Sequence, residues 1–178
     1  MQRRPLLLGL LGLLATLGAR NSFALYDAAP NPLLSHLPGS WRGTLTYRDW
    51  GKAERLVTLP CRMHAALLTP SGLSLYFVFD DGPGKTVYSY DRWLFDFTKG
   101  RMVLASGDGK GTETSYRIVS TSRSDEGDAV VLVNTAEGKT YRQTLQVSMR
   151  SLKLEKVEIA EDGREVFRNG YDLSRADA

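Results

Sequence analysis

The chain has 178 residues, of which 42% are apolar, 24% charged and 10% aromatic, and it contains 17 glycines and 7 prolines. This is ordinary globular composition, which excludes collagen-like, low-complexity and wholly disordered chains. The single cysteine excludes an intrachain disulfide, a thiolate zinc cluster and an iron–sulfur site, so packing alone must hold the core together.

The N-terminal segment has the pattern of a secretory signal peptide. Two arginines form a basic head, residues 6–17 form an apolar stretch, and Ser22-Phe23-Ala24 places small residues where a signal peptidase cleaves. We predict a signal peptide over residues 1–24, with cleavage after Ala24. The mature protein is then expected to be periplasmic or secreted and to have no membrane span.

Two alternatives at the N-terminus stay open. The apolar stretch could instead be a membrane anchor, although its length falls short of the roughly 20 residues that cross a bilayer. The pair Arg3-Arg4, followed by Pro5, fits either general secretory export or the twin-arginine route for prefolded proteins.

Removal of the signal changes the charge balance, because Arg3, Arg4 and Arg20 are its only charged residues. The remaining 154 residues carry 20 basic and 20 acidic side chains, so the net charge falls from +3 to zero. A balanced surface gives no electrostatic reason to expect nucleic acid or an anionic membrane as a partner, since both favour a basic patch. It also indicates no particular protein partner.

Alternating apolar and polar residues predict strands throughout the mature chain, after an extended lead-in segment at residues 25–38 that has three prolines and no periodicity. Short turns rich in glycine and aspartate separate the strands, as Asp162-Gly163 does in the last hairpin. Pro60 predicts a bulge or bend, and a shift of side-chain parity is expected near Asp91. The ten predicted strands are Trp41–Asp49, Val57–Leu67, Leu73–Asp80, Thr86–Phe97, Arg101–Ala105, Glu113–Ser122, Ala129–Asn134, Lys139–Ser148, Leu152–Ala160 and Arg164–Ser174.

Ten sequential strands with short connections predict an all-β fold, a single antiparallel up-and-down β-barrel over residues 39–178. An open sheet of this kind would leave two edge strands unpaired, whereas rolling it into a barrel pairs the first strand with the last. A β-sandwich, in which two sheets interdigitate over a filled core, is the competing prediction. A barrel of this size is expected to enclose a cavity.

The segment Gly39-Ser40-Trp41, directly before an alternating strand, resembles the Gly-x-Trp opening of the calycin superfamily, which includes lipocalins and nitrobindin-like barrels. The resemblance extends over nearly the whole mature chain in strand number and order. It implies that a cation near the end of the last strand packs across Trp41 and closes one end of the barrel. Parity favours Arg175 for this structural role, because it shares the apolar, inward side of the last strand with Phe167, Tyr171 and Leu173. Arg168 has the opposite parity and is expected to face solvent.

The chain departs from each calycin subfamily that we compared with it. Residues 50–53 leave no room for the helical pair of fatty-acid-binding proteins, and a single cysteine is unusual for an extracellular lipocalin. Nitrobindin-like barrels bind haem through a histidine late in the chain, whereas the two histidines here are His36 and His64. The resemblance therefore implies a lipocalin-like barrel of unidentified subfamily, with no haem or other cofactor expected.

Four segments that superficially resemble known sites are better explained otherwise. Cys61 and His64 should point to opposite faces of a strand, so a joint metal or nucleophile site is not expected. The segment Gly107–Gly111 lacks the serine or threonine and the helix that follow a phosphate-binding lysine, and we interpret it as a turn. The carboxylates of residues 80–81 and 125–128 lack EF-hand spacing, so no metal site is predicted.

Aromatic side chains on the inward faces of the predicted strands are the main candidates for ligand contact, because small-molecule pockets are mostly apolar with a few placed polar groups. Plain core packing is the alternative for the same residues. An inward amide on the eighth strand could orient a ligand. The candidate ligand-binding residues are Tyr47, Phe77, Phe79, Trp93, Phe95, Tyr116, Tyr141 and Gln143.

Three functions remain as hypotheses. The first is a non-enzymatic exported barrel that binds a small hydrophobic molecule in its interior, as the calycin resemblance implies; a dry, filled interior would count against it. The second is an isomerase or lyase on the same scaffold, which needs a buried carboxylate or arginine facing a tyrosine. The third is a structural or protein-interaction module of the cell envelope. No catalytic residue is assigned.

Overall fold

A computed structural model describes residues 31, 34–49, 51–52, 54–107 and 112–176. The predicted signal peptide, its cleavage site and most of the Gly107–Gly111 turn lie outside these residues. Ten strands are present in the described part of the chain. They are β1 (Gly39–Arg48), β2 (Leu56–Thr69), β3 (Gly72–Asp80), β4 (Thr86–Asp96), β5 (Arg101–Ser106), β6 (Glu113–Ser124), β7 (Gly127–Ala136), β8 (Lys139–Val147), β9 (Ser151–Ile159) and β10 (Glu165–Arg175).

The strands form a closed antiparallel barrel in which each strand pairs with its neighbours in sequence and β10 pairs with β1. The closing pair aligns Trp41 with Arg175 and Tyr47 with Asn169. This confirms the predicted up-and-down barrel and excludes the sandwich. Closure also leaves neither the first nor the last strand as an exposed edge.

The two ends of the barrel differ. At the end where β1 begins, which we call the closed end, Leu34 and Leu37 of the lead-in segment are completely buried. The buried Asp128 carboxylate at the start of β7 lies 3.2 Å from Nδ1 of His36 and so also contacts this segment. The closed end is therefore plugged by residues that precede β1. We call the opposite end, where β1 ends at Arg48, the mouth.

The half of the barrel next to the closed end is filled with apolar side chains. Rings on β3 and β4 pack against their neighbours, with ring centroids 5.9 Å apart for Phe77 and Phe79 and 6.4 Å apart for Trp93 and Phe95. The largest fully buried side chains are Trp41, Leu34, Leu37, Leu73, Leu75, Met102, Leu132, Leu145, Leu173 and Val130. This half of the interior is plain core.

Two local predictions were wrong. The pairing of β3 with β4 runs without a shift through Asp91, which lies opposite Leu75 on the interior face. The β1–β2 register is likewise regular through Pro60, which lies opposite Thr44. Proline is tolerated there because the pairing of β2 with β3 extends only to Cys61, so no β3 partner needs the missing N–H group.

An irregularity in β10 overturns the predicted orientation of Phe167 and Arg168. The β9–β10 register shifts between Phe167 and Asn169, which leaves Arg168 as the extra residue of a β-bulge. A Cβ atom added at Gly170 would lie 3.3 Å from the Phe167 ring, so the ring lies on the side of β10 that Gly170 faces, opposite to Tyr171. Phe167 is therefore not interior, and Arg168 is re-aimed toward the mouth and is only partly exposed.

The separation of Cys61 and His64 follows the strand geometry expected from the sequence. Cys61 is buried, while His64 is exposed on the other face of β2, where its ring nitrogen lies 3.2 Å from the Ser40 hydroxyl.

No helix in the described part of the chain has the length and apolar character needed to cross a membrane. Among the same residues, no group of three or more His, Cys, Asp or Glu side chains could hold a metal ion.

Candidate functional site in the mouth of the barrel

A cavity of about 630 Å³ opens at the mouth and extends into the barrel between β1, β8, β9 and β10. Alternation brings inward side chains of these four strands to the cavity, and the β7–β8 turn forms part of its rim. Its volume falls within the 300–1,000 Å³ that is typical of small-molecule sites. The lining residues are Leu45, Tyr47, Arg48, Glu137, Lys139, Tyr141, Lys156, Arg168, Asn169 and Tyr171. We call this space the mouth cavity.

Positive charge dominates the lining of the mouth cavity, which has four cationic side chains and one carboxylate, that of Glu137. A second carboxylate, that of Glu158, lies 3.4 Å from Lys139 and 3.6 Å from Arg168, so it is shared between two cations. Even with Glu158 included, cations outnumber carboxylates among these residues. The cavity therefore combines aromatic and aliphatic surface with a net positive rim.

Lys156 is the cation placed furthest inside. It shares the interior face of β9 with the buried Leu152 and Leu154. Its ammonium nitrogen lies 4.6 Å from the centroid of the Tyr141 ring, within cation–π range. Partial burial lowers the pKa of Lys156, and the nearby Arg168 guanidinium lowers it further. The fold thus holds this amine where its charged form is less stable than it is in water.

Buried polar atoms without hydrogen-bond partners among the described residues lie on the interior faces of β7 and β8, beside residues that line the cavity. They include the side-chain carbonyl oxygens of Asn134 and Gln143. Asn134 lies opposite the cavity residue Tyr141, and Gln143 lies opposite Lys156. An unpartnered buried polar group costs about 1–3 kcal/mol, so each oxygen is an acceptor for a water molecule or a ligand group that reaches it.

A carboxyl group is buried on the opposite wall of the barrel. Burial raises the pKa of Asp91, and a hydrogen bond to Ser106 offsets part of this rise. Burial also raises the pKa values of Tyr116 and Tyr171, and the charge of Asp91 raises both further. Tyr171 lines the mouth cavity and Tyr116 lies in the packed core, so the charge of Asp91 influences one tyrosine in each region.

The structure divides the eight candidate ligand-binding residues into two groups. Tyr47 and Tyr141 line the mouth cavity, and Gln143 is buried beside it. The other five belong to the packed hydrophobic core; they are Phe77, Phe79, Trp93, Phe95 and Tyr116. The cavity therefore uses fewer of the aromatic side chains than their inward parity suggested.

Most residues of this region were not recognised as candidates from the sequence, among them Asp91, Lys156, Arg168 and Tyr171. Lys156 could have been found, because it continues the alternation of Leu152 and Leu154 and is a charge on an apolar face. Asp91 has the same parity as Trp93. Arg168 reaches the mouth only because of the bulge in β10, and nothing in the sequence predicted this bulge.

A second depression, of about 760 Å³, lies on the outer surface beside residues 81–85. Its lining includes the outward-facing Arg42, Arg62 and Asp80, which are all exposed. The mouth cavity is the better candidate site, because it lies inside the barrel and is bordered by unpartnered buried polar atoms.

At the closed end, Arg175 lies across Trp41, with 4.0 Å between the guanidinium carbon and the ring centroid. The guanidinium also donates hydrogen bonds to the carbonyl oxygens of Pro38 and His36, at 2.6 and 2.8 Å. A Cβ atom at Gly39 would collide with the same guanidinium group, which explains glycine at this position. These residues close the barrel and lie far from the mouth.

Comparison with known proteins supports the architecture. No protein-family model and no curated protein sequence matches the chain. The crystal structure of Rv2717c from M. tuberculosis matches with a TM-score of 0.59 and 14% identity, over 82% of this chain and 98% of that one. The S-type phycobiliprotein lyase CPES from Guillardia theta matches with a TM-score of 0.53 and 10% identity, over 80% and 89% of the two chains. At these identities the likeness shows the fold alone, a closed antiparallel barrel of ten strands.

Proposed function

We propose that the protein is an exported, lipocalin-like barrel that binds a small hydrophobic ligand in the open half of its interior. The observation that carries this proposal is the mouth cavity, whose wall combines Leu45 and three tyrosines with the side-chain amide of Asn169. Apolar surface supplies most of the binding free energy in such sites, and a few polar groups orient the ligand.

The filled half of the barrel limits the size and depth of this ligand. Because the core rings of Phe77 and Trp93 already occupy the space above the closed end, the ligand must lie among β1, β8, β9 and β10. A molecule that needs the whole barrel interior would not fit without displacing the core. We therefore expect a compact ligand whose outer end stays near the rim.

Binding is tested with N-phenyl-1-naphthylamine, an uncharged probe that becomes fluorescent in apolar surroundings. The mature protein should bind it with micromolar affinity, and Tyr141→Ala should weaken binding several-fold. Tyr76→Ala removes an exposed ring from the outer surface of β3 and serves as the matched control. Native mass spectrometry of protein purified from the envelope of its own host would identify a bound molecule. Failure of the probe to bind, together with consistently empty protein, would overturn the proposal.

Export is the second part of the proposal and rests on the sequence of residues 1–24. Cell fractionation and N-terminal sequencing should find a periplasmic or secreted protein that begins at Leu25. Replacing Arg3 and Arg4 together by lysine should block export through the twin-arginine route and leave general secretory export largely intact. Full-length protein retained in the cytoplasm would contradict export.

One observation favours an isomerase or lyase as a second candidate function. Asp91 is a partly buried interior carboxyl group of raised pKa, and its charge raises the pKa values of Tyr116 and Tyr171. A carboxyl group of raised pKa can act as a general acid or base. One structural neighbour is described as a phycobiliprotein lyase. If the molecule released from the native protein is converted by the wild type, Asp91→Asn should abolish conversion and retain binding; unchanged turnover would exclude this role.

A further inference from the structure

The cations of the mouth cavity are not equivalent in their partners. Lys139 and Arg168 both lie near Glu158, and Arg48 donates from its Nε to the carbonyl oxygen of Phe167 at 3.0 Å. Lys156 contacts the Tyr141 ring, and no carboxylate among the described residues lies within ion-pair distance of its nitrogen. An interior ammonium group without a counter-ion is therefore aimed into a cavity that has room for a ligand.

A lysine in this position is costly unless something else offsets its desolvation. Buried charges are normally paired or hydrogen-bonded, because transfer of an unpaired ion from water is strongly unfavourable. Arg168 adds like-charge repulsion instead of compensation. An anionic group on the ligand would satisfy both cations at once, and it would do so at the end of the cavity where the rim is most positive.

We propose that the mouth cavity binds an amphiphilic organic anion, with Lys156 and Arg168 contacting its ionised acid group and the tyrosines and Leu45 contacting its apolar body. This inference rests on the proposed function and adds the chemical class of the ligand. A carboxylate, sulfonate or phosphate head fits the two cations through charge-assisted hydrogen bonds, of which arginine can form two in parallel. A purely hydrocarbon ligand would leave Lys156 unpaired.

Two fluorescent probes of one ring skeleton separate the two proposals. N-phenyl-1-naphthylamine is uncharged, and 8-anilinonaphthalene-1-sulfonate adds an ionised acid group. The wild type should bind the sulfonate about tenfold or more tightly than the uncharged probe, which is the scale of a charge-assisted contact. Lys156→Gln should remove most of this preference, while the affinity for the uncharged probe should change less than about twofold.

Control variants distinguish loss of the Lys156 charge from general damage to the barrel. Lys153→Gln removes a lysine from the same strand, but this side chain is exposed and lies 3.5 Å from Asp172, so both probes should bind as in the wild type. Lys156→Arg restores a cation and should recover much of the sulfonate affinity. Circular dichroism and thermal unfolding of each variant show whether the barrel is intact.

The pH dependence gives a readout that a merely structural lysine would not produce. The sulfonate stays ionised throughout, so its affinity should fall as pH rises through the lowered pKa of Lys156, before an ordinary lysine would titrate. Lys156→Arg should flatten this profile, since arginine keeps its charge. The other charged or titratable side chains that face this part of the cavity are Tyr47, Arg48, Glu137, Lys139, Tyr141, Glu158, Arg168 and Tyr171.

The outcomes distinguish the two proposals. Tight binding of the sulfonate that depends on Lys156 supports both. Equal binding of the two probes, or sulfonate binding that Lys156→Gln leaves unchanged, overturns the anion proposal while the hydrophobic carrier survives. If neither probe binds the wild type, both proposals fail.

Discussion

Arg175 and Trp41 lie directly opposite each other in the strand pair that closes the barrel, and the guanidinium carbon lies 4.0 Å from the centroid of the indole ring. The Trp41 indole N–H donates to the carbonyl oxygen of Leu37 at 2.9 Å. The two side chains thus connect the first strand, the last strand and the plug that precedes the first strand. Loss of either contact should loosen all three.

Arg175→Ala should therefore lower the free energy of unfolding by about 2–4 kcal/mol, because it removes a cation–π contact and charged hydrogen bonds to backbone carbonyl oxygens. Arg175→Lys keeps the charge but not the fork of donors, so an intermediate loss is expected. Urea unfolding measures both variants. Arg62→Ala, at an exposed position on β2, is the control and should cost less than about 0.5 kcal/mol. A loss at Arg175 no larger than this control would contradict the closing role.

The plug itself is tested at Leu34, which is completely buried beneath the closed end. Leu34→Ala should destabilise the protein by about 2–4 kcal/mol, the usual effect of leaving a cavity in a packed core. Leu68→Ala, at a position on β2 that is 39% exposed, should have little effect. Equal unfolding midpoints for the two variants would mean that the segment before β1 does not contribute to the core.

Cys61 provides a test of how tightly the wall beside Tyr171 is packed. Burial raises the pKa of the Cys61 thiol to about 12, so at pH 8 only about one thiol in 10,000 is the reactive thiolate. The folded protein should react with Ellman's reagent very slowly at this pH and stoichiometrically in denaturant. Full labelling of the native protein within minutes would show that the interior opens readily at β2.

The barrel was predictable because alternation along each strand is a local property, and each strand pairs with its sequence neighbour. The closing contact of Arg175 was implied by the calycin resemblance, and strand parity selected Arg175 over Arg168. The sequence could not predict which inward rings pack in the core and which line the cavity. That division depends on side chains that face one another across the barrel. Phe77 and Tyr47 have the same inward parity, yet one lies in the core and the other in the cavity wall.

The charge of the mouth escaped prediction for a different reason. The bulge between Phe167 and Asn169 inserts one residue into β10, and a single inserted residue reverses the faces of every side chain beyond it. Alternation counted through the bulge placed Phe167 inside and Arg168 outside, and both assignments were wrong. Lys156 faces the interior by ordinary alternation. It was not considered as a candidate because a charged residue is not expected on an interior face.

Burial of Asp91 predicts how the free energy of unfolding changes with pH. Its folded pKa lies above the ordinary value of 3.8, so the folded protein binds this proton more tightly than the unfolded chain does. The contribution of Asp91 to stability is therefore fully present below about pH 4 and is lost as pH rises through the raised pKa. Asp91→Asn, which stays neutral, should be more stable than the wild type at neutral pH by about 1 kcal/mol, and this difference should shrink toward pH 4.

Asp96 on the same strand is a control, because its pKa is shifted in the opposite direction from that of Asp91. Hydrogen bonding from the Lys99 backbone N–H, at 3.0 Å, lowers the pKa of Asp96. Its contribution is therefore present above the unfolded pKa and is lost as pH falls through the lowered one. Asp96→Asn should thus weaken the protein at neutral pH, where Asp91→Asn strengthens it, and unfolding curves between pH 4 and 8 compare them directly. Parallel curves for the two variants would show that Asp91 ionises as freely as a surface carboxylate, and the proposed acid of the second candidate function would lose its physical basis.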